Sequence, residues 1–207
     1  MEIMTEDKSK ITGESLSFIE VEGGDLLTLL EGVSSHAGRD KSLPTLNAVE
    51  VEGKSGNLTA RATDRYRLIE GQLTARVPEG DLDKALVSLD DIKRIITLAK
   101  EHKPNLVSLS RLGNTLTISS LGDSLTITLR EGTFPPTEQL FTDCEGEPSP
   151  IESVALNPAF MADYAKIAGK GQAVKIYFYG KNKPMRVRIT GDKILWRALL
   201  MPMRYTD

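Results

Sequence analysis

Residues 84–130 read KALVSLDDIKRIITLAKEHKPNLVSLSRLGNTLTISSLGDSLTITLR, and two periodicities divide them. Lys84 to Ser88 is a short, largely apolar run of strand type. From Asp90 to about Glu101 the apolar residues return every three or four positions. Ile92, Ile95, Ile96 and Ala99 share one helical face, and Lys93, Arg94, Thr97 and Lys100 share the other. Pro104 stops the helix. Strands follow at Leu106 to Ser110, Thr115 to Ser119 and Ser124 to Arg130, the last two alternating with period two around turns at Gly113 and Gly122. The stretch is one unit: a strand, an amphipathic helix, then a run of strands.

The same unit recurs on either side. Upstream, Leu16 to Val21 is a strand, and Gly24 or Asp25 is the expected cap of a helix through Leu26, Leu29, Leu30 and Val33 that Gly38 ends. Strands are expected at Leu46 to Glu52, Asn57 to Ala62 and Tyr66 to Val77, the first two joined by a turn over Gly53 to Gly56. Downstream, Glu152 to Leu156 opens a third unit. Asn157-Pro158 caps a helix that runs to Ala168, and strands follow at Ala173 to Tyr179, Met185 to Thr190 and Ile194 to Leu200. Thr133 to Pro150, rich in proline, glycine and acid, reads as a linker. The expected fold class is α+β, with antiparallel sheets and the helices on one face. Residues 1–14 are expected to be a disordered tail, 15–133 a two-unit domain, 134–150 a linker and 151–207 a lone half domain.

Composition narrows the function. The 207 residues carry a net charge of −3, one cysteine and two histidines. A single Cys144 excludes an internal disulfide framework and a cysteine zinc cluster, and no cofactor is expected. A mildly acidic chain does not coat nucleic acid by bulk attraction, although a local basic surface remains compatible with that sum. No apolar run approaches the roughly 20 residues of a membrane helix and the first ten residues lack a signal-peptide core, so no membrane is expected and the location is expected to be cytoplasmic. Phosphate loops, nucleophile elbows, dinucleotide fingerprints and paired metal-binding histidines are absent from the sequence, and no catalytic residue or metal is expected.

Four segments carry a resemblance. Ala62-Thr63-Asp64-Arg65-Tyr66-Arg67-Leu68 resembles the ATDGHRL segment in the middle domain of the bacterial DNA polymerase III β sliding clamp family. Leu43 to Val49 matches the first strand after that domain's helix. Phe134-Pro135-Pro136 resembles the FPD element between middle and last domains. Lys183-Pro184-Met185, then Leu199 to Arg204, resembles the family's C-terminus with its MPMR tail. On residues alone, Leu199 to Met203 reads equally as an edge strand and Thr63-Asp64 as a turn.

The resemblance implies a DNA-clamp fold and a pocket for short linear motifs. That pocket would hold Leu46, Thr63, Arg67 and Leu68 on one side, with Pro135, Leu199, Met201, Pro202, Met203 and Arg204 on the other. Leucine and methionine make an adaptable apolar seat, and a rim arginine can pair with peptide carbonyls or carboxylates. The family's helices line a channel around duplex DNA. The implied DNA-facing residues are therefore Arg39, Lys41, Lys93, Arg94, Lys100, Lys103, Lys166 and Lys170, giving weak and sequence-independent phosphate contact. The implied function is a non-enzymatic processivity factor. Its partners would be duplex DNA and peptides of DNA polymerase and clamp loader, and its form a homo-oligomeric ring. Three units per chain, against about twelve in the family's rings, give four chains by division. The chain departs from the family in Tyr66, in Pro136 and in lacking one and a half domains. The rival reading is a non-encircling clamp mimic that sequesters clamp-binding partners.

Overall fold

In the computed structural model, which describes residues 17–75, 77–79, 81–144, 149–150, 154–191 and 193–204, the first unit is β1 (Ser17–Glu22), α1 (Gly23–Ser34), β2 (Ala48–Lys54), β3 (Asn57–Thr63) and β4 (Arg67–Thr74). A three-residue strand, β5 (Val77–Glu79), leads to the second: β6 (Leu82–Ser88), α2 (Leu89–Glu101), β7 (Leu106–Leu112), β8 (Thr115–Ser120) and β9 (Asp123–Thr128). The stretch read as a linker carries a short helix, α3 (Glu138–Thr142). The third unit holds α4 (Pro158–Ala168), β10 (Val174–Tyr177), β11 (Met185–Ile189) and β12 (Leu195–Leu200). Residues 1–14, with Glu152 and Ser153 of the expected opening strand, lie outside the described residues.

Capping chemistry starts two helices: at Asn157-Pro158, where the sequence expects it, and at Ser88, a cap the sequence reading did not name. Ser88 Oγ accepts the Asp91 N–H at 3.0 Å, and Asn157 Oδ1 accepts the Ala159 N–H at 3.0 Å with Pro158 in the first turn. The first helix differs. Gly24 and Asp25 are not its cap: α1 begins straight after β1, and Glu22 makes no side-chain cap. The N–H groups of Gly23 and Gly24 instead donate to the carbonyls of Asn105 and Lys103, at 2.8 and 3.0 Å. Nor does Gly38 end this helix. It stops at Ser34, and the Gly38 N–H is held by the Leu46 carbonyl.

All strand pairs are antiparallel, in two sheets ordered β5-β1-β7-β8-β9 and β10-β11-β12-β4-β3-β2-β6. The first two units exchange opening strands, β1 pairing with β7 and β6 with β2. The third unit joins by its last strand: β12 pairs with β4 from Leu195↔Gln72 to Leu200↔Arg67. The seven-stranded sheet is thus continuous across both, and one apolar core runs from Leu26 and Ile69 to Val187 and Trp196.

Two glycines make that junction possible. A Cβ at Gly32 in α1 would lie 2.5 Å from the Trp196 ring, and one at Gly71 in β4 would lie 2.5 Å from Leu29 and 2.6 Å from the same indole. Glycine weakens helix and strand interiors, so its presence there reflects this close approach. Gly53, expected in a turn, is instead in β2 at a shift of register against β6.

Two hairpin tips, Ser55-Gly56 and Leu121-Gly122, have both φ positive, as type I′ turns require. Leu121 is an uneasy occupant, at φ 48° with 79% of its surface exposed. Leu121→Asn is expected to stabilise the fold by about 0.5–1 kcal/mol in denaturant melts, since asparagine tolerates this region better. A loss of stability would show that the leucine packs against something in solution. Among the described residues no helix is long and apolar enough to cross a membrane.

Candidate partner-peptide and DNA-facing surfaces

Thr63 to Arg67 form a side-chain-locked turn between β3 and β4. The Thr63 hydroxyl donates to the Arg67 carbonyl at 2.8 Å and accepts the Arg65 N–H, while Asp64 Oδ1 accepts the N–H groups of Tyr66 and Arg67 at 3.0 Å each. Arg65 takes φ 78°, at the position where the resembled segment has glycine. Arg67 then points to the helix side of the sheet. Its guanidinium donates to Asp64 at 3.0 Å, to Asp163 of α4 at 2.8 Å and to the Ser35 carbonyl at 2.7 Å, and it stacks 4.2 Å from the centre of the Phe160 ring. Burial raises the Asp163 carboxyl's pKa, but hydrogen bonds from Arg67 and Lys166 outweigh it and hold that carboxyl below the usual range.

One residue on, the strand faces the other way. Leu68 pairs directly with Leu199 of β12, and both are buried in a second apolar cluster with Ala48, Leu86, Phe134, Phe141, Cys144 and Tyr179. The 134–144 segment supplies the lid of that cluster. It is pinned by Arg197, whose guanidinium lies 4.3 Å from the centre of the Phe141 ring and bridges Glu70 and Glu138 at 2.7 and 2.8 Å. Beside it, Arg61 is held protonated by Glu70, Glu52 and Glu50 although burial works against its charge. The aromatic anchor Phe141 and Arg197 itself are contributors that sequence reasoning missed, and Phe134 was quoted only within the FPD-like segment. Isolated aromatics in a polar stretch carry no periodic signal.

The C-terminal tail leaves from the same place. The Met201 N–H donates to the Tyr66 carbonyl at 2.8 Å, and the Met203 N–H donates to the Ala155 carbonyl at 2.8 Å. Pro135, Met201 and Pro202 are half-buried and Arg204 is exposed. Met203 is 52% exposed and Tyr66 60%. The structure therefore brings Leu68, Leu199, Met201, Pro202, Met203 and Arg204 to one end of the β4–β12 pair, with Pro135 adjoining the buried Phe134. Leu46 is buried outside that cluster, in the turn before β2. Thr63 serves the turn, and Arg67 serves the opposite face.

On that opposite face α1 packs between α2 and α4. All eight expected basic residues there are exposed, in two groups. Lys41 and Lys93 share Asp90 at 3.1 and 2.9 Å, Arg94 pairs with Asp91 at 2.8 Å and Lys166 with Asp163 at 3.1 Å. Hydrogen bonds from Lys93 and Lys41 hold the Asp90 carboxyl below its ordinary range. Arg39, Lys100, Lys103 and Lys170 have no ion pair among the described residues. Lys193, paired with Asp25 at 3.1 Å, is a further cation on this side that the sequence did not single out. No cluster of metal-ligating side chains occurs among the described residues.

Beneath Arg67 lies His36, fully buried. Its Nδ1 is 2.8 Å from Ser35 Oγ, its ring sits 5.0 Å from that of Tyr164, and Nε2 has no hydrogen-bond partner among the described residues. Burial and, next, the Arg67 charge push its pKa down to about 3, against weaker upward pulls from Asp163 and the Gly32 backbone. The unfolded chain binds this proton from about pH 6.5 and the fold only near pH 3, so stability falls as pH drops through that window. Between pH 6.5 and 5 the expected loss is about 2 kcal/mol. Urea titrations of the chain and of His36→Gln should diverge by that amount; parallel curves would remove His36 as the cause.

No protein-family model matches the sequence, and no curated protein sequence matches it. Solved structures do. The DNA polymerase III β subunit of Thermotoga maritima superposes with a TM-score of 0.78 at 16% identity, over 99% of this chain and 70% of that one. The sliding clamp of Pseudomonas aeruginosa gives 0.75 at 17% identity, over 94% and 69%. That of Bacillus subtilis gives 0.75 at 16%, over 98% and 67%. At such identities the likeness speaks for architecture: this chain has the fold of the bacterial DNA polymerase III β sliding clamps.

Proposed function

We propose that the chain is a sliding-clamp processivity factor, which tracks on duplex DNA and captures short linear motifs of DNA polymerase and other replication proteins without chemistry of its own. The observation that carries this reading is the meeting of the Thr63–Leu68 turn with the Leu199–Arg204 tail across the β4–β12 pair. Tyr66, Met201 and Met203 there offer an adaptable apolar surface, with Pro135 at its margin and Arg204 free to pair with a peptide carboxylate. Residues 15–133 act as the complete domain and 151–207 as the half domain, joined through 134–150. The working form is a homo-oligomeric ring in the cytoplasm.

The row of helices suits sliding. Exposed ion pairs such as Lys93–Asp90 are screened by water and salt and hold weakly, so a lysine exchanges its carboxylate for a passing phosphate at little cost. Lys100 and Lys170, which have no ion pair among the described residues, are freest to do so. Lys100→Glu with Lys170→Glu is expected to flatten the log–log salt dependence of duplex binding by about 2 and to shorten synthesis per binding event. Unchanged slope and product length would return these lysines to a merely solvated surface. Retention on nicked circular DNA that is lost on linearisation is the expected topological signature, and a non-encircling mimic would show none.

A further inference from the structure

Each of the first two units lends its opening strand to the other. β1 lies between β5 and β7, β6 lies on β2, and α1 packs against α2. The third unit repeats the pattern but stands alone. β10 occupies the place that β2 and β7 hold in their units, yet among the described residues it pairs only with β11. Ala155, in the opening stretch, is bonded on one side to Met203, much as β1 is bonded to β5, and its other side has no described strand. The apolar side chains reflect this. In the first unit Leu26, Leu29 and Val33 of α1 and Val49 of β2 are completely buried. In the third, Leu156, Met161, Val174, Ile176 and Phe178 are packed on the core but only half-covered.

We infer that the third unit is completed by the third unit of a second copy of this chain, across a two-fold axis, so that two half domains make one. The occupant follows from the architecture. What covers α1 and β2 is a unit of the same design turned end for end, and the third unit of another chain is the one copy of that design left without a mate. The residues around Ala155 of each copy would lie on β10 of the other, with the two α4 helices adjacent. Such a contact is self-complementary and closes at two copies. It deepens the ring assembly proposed above by naming the surface. It leaves the ends of a six-unit arc at β9, whose Ser124 to Thr128 edge carries no charge to block further pairing.

Native mass spectrometry of the full chain without DNA tests this. The expected result is an even-numbered assembly whose mass at least halves in Ile176→Asp. A monomer, an odd-numbered assembly, or an unchanged mass in a folded variant would overturn it. If that variant does not fold, hydrogen exchange on the unaltered chain decides: amides of Val174 to Tyr177 should exchange at least tenfold more slowly in concentrated than in dilute protein, and equal rates would refute the contact. Failure of the DNA reading would show instead in the salt and linearisation experiments, with the mass unaffected.

Discussion

Arg67→Ala is expected to destabilise the protein by about 3–5 kcal/mol, the range for removing one partner of a buried ion network. The side chain is 8% exposed, and the structure gives it four contacts: two carboxylates, one carbonyl and an aromatic face. Its removal leaves Asp163 half-desolvated with only Lys166, frees the Ser35 carbonyl and uncovers Phe160. Because Asp163 and Phe160 belong to α4, the third unit should loosen first. Hydrogen exchange in α4 and β10 would rise before that in β2 and β3. Arg67→Ala combined with Asp163→Asn should cost less than the sum of the single changes, since the neighbours share one network. A cost under about 1 kcal/mol for the single change would mean that the tie between the units lies elsewhere, with Trp196 the next candidate.

Met203→Asp is expected to act in the opposite manner, on binding and not on folding. The side chain is half-exposed and the residue is held through its main chain, so stability should stay within about 0.5 kcal/mol. A carboxylate at the centre of an apolar peptide seat, however, must be desolvated by the incoming ligand. Loss of a central contact in such a seat weakens binding by about 2 kcal/mol or more, roughly thirtyfold. Titration with a fluorescent peptide from the C-terminus of a replicative polymerase measures it. Unaltered affinity in a folded variant would remove the tail from the site.

Local chemistry was legible in the sequence and distant chemistry was not. Asn157-Pro158 announces its helix because the capping atoms sit on the helix's own doorstep. The start of α1 misleads because its first N–H groups are satisfied by carbonyls about eighty residues away. β5 was not foreseen, only its first residue, Val77, falling in the expected Tyr66 to Val77 strand, since its pairing with β1 leaves no mark on three residues. The residues proposed for peptide capture show the same division. The junction of Leu68 with Leu199 came from segment resemblance, not periodicity. Strict alternation along β4 already implies that Arg67 and Leu68 face opposite ways, so the buried role of the arginine was available and was overlooked. The 134–150 stretch read as a linker because its proline and acid outweigh two aromatics. Those aromatics, Phe134 and Phe141, anchor its 134–144 part over the sheet.

The most direct test is hydrogen exchange of the full chain titrated with the same polymerase-tail peptide. The expected footprint is slowed exchange at Tyr66 to Leu68 and at Leu199 to Met203 together, saturating at one peptide per chain. Protection confined to any other surface, or none at saturating peptide, would contradict the clamp reading.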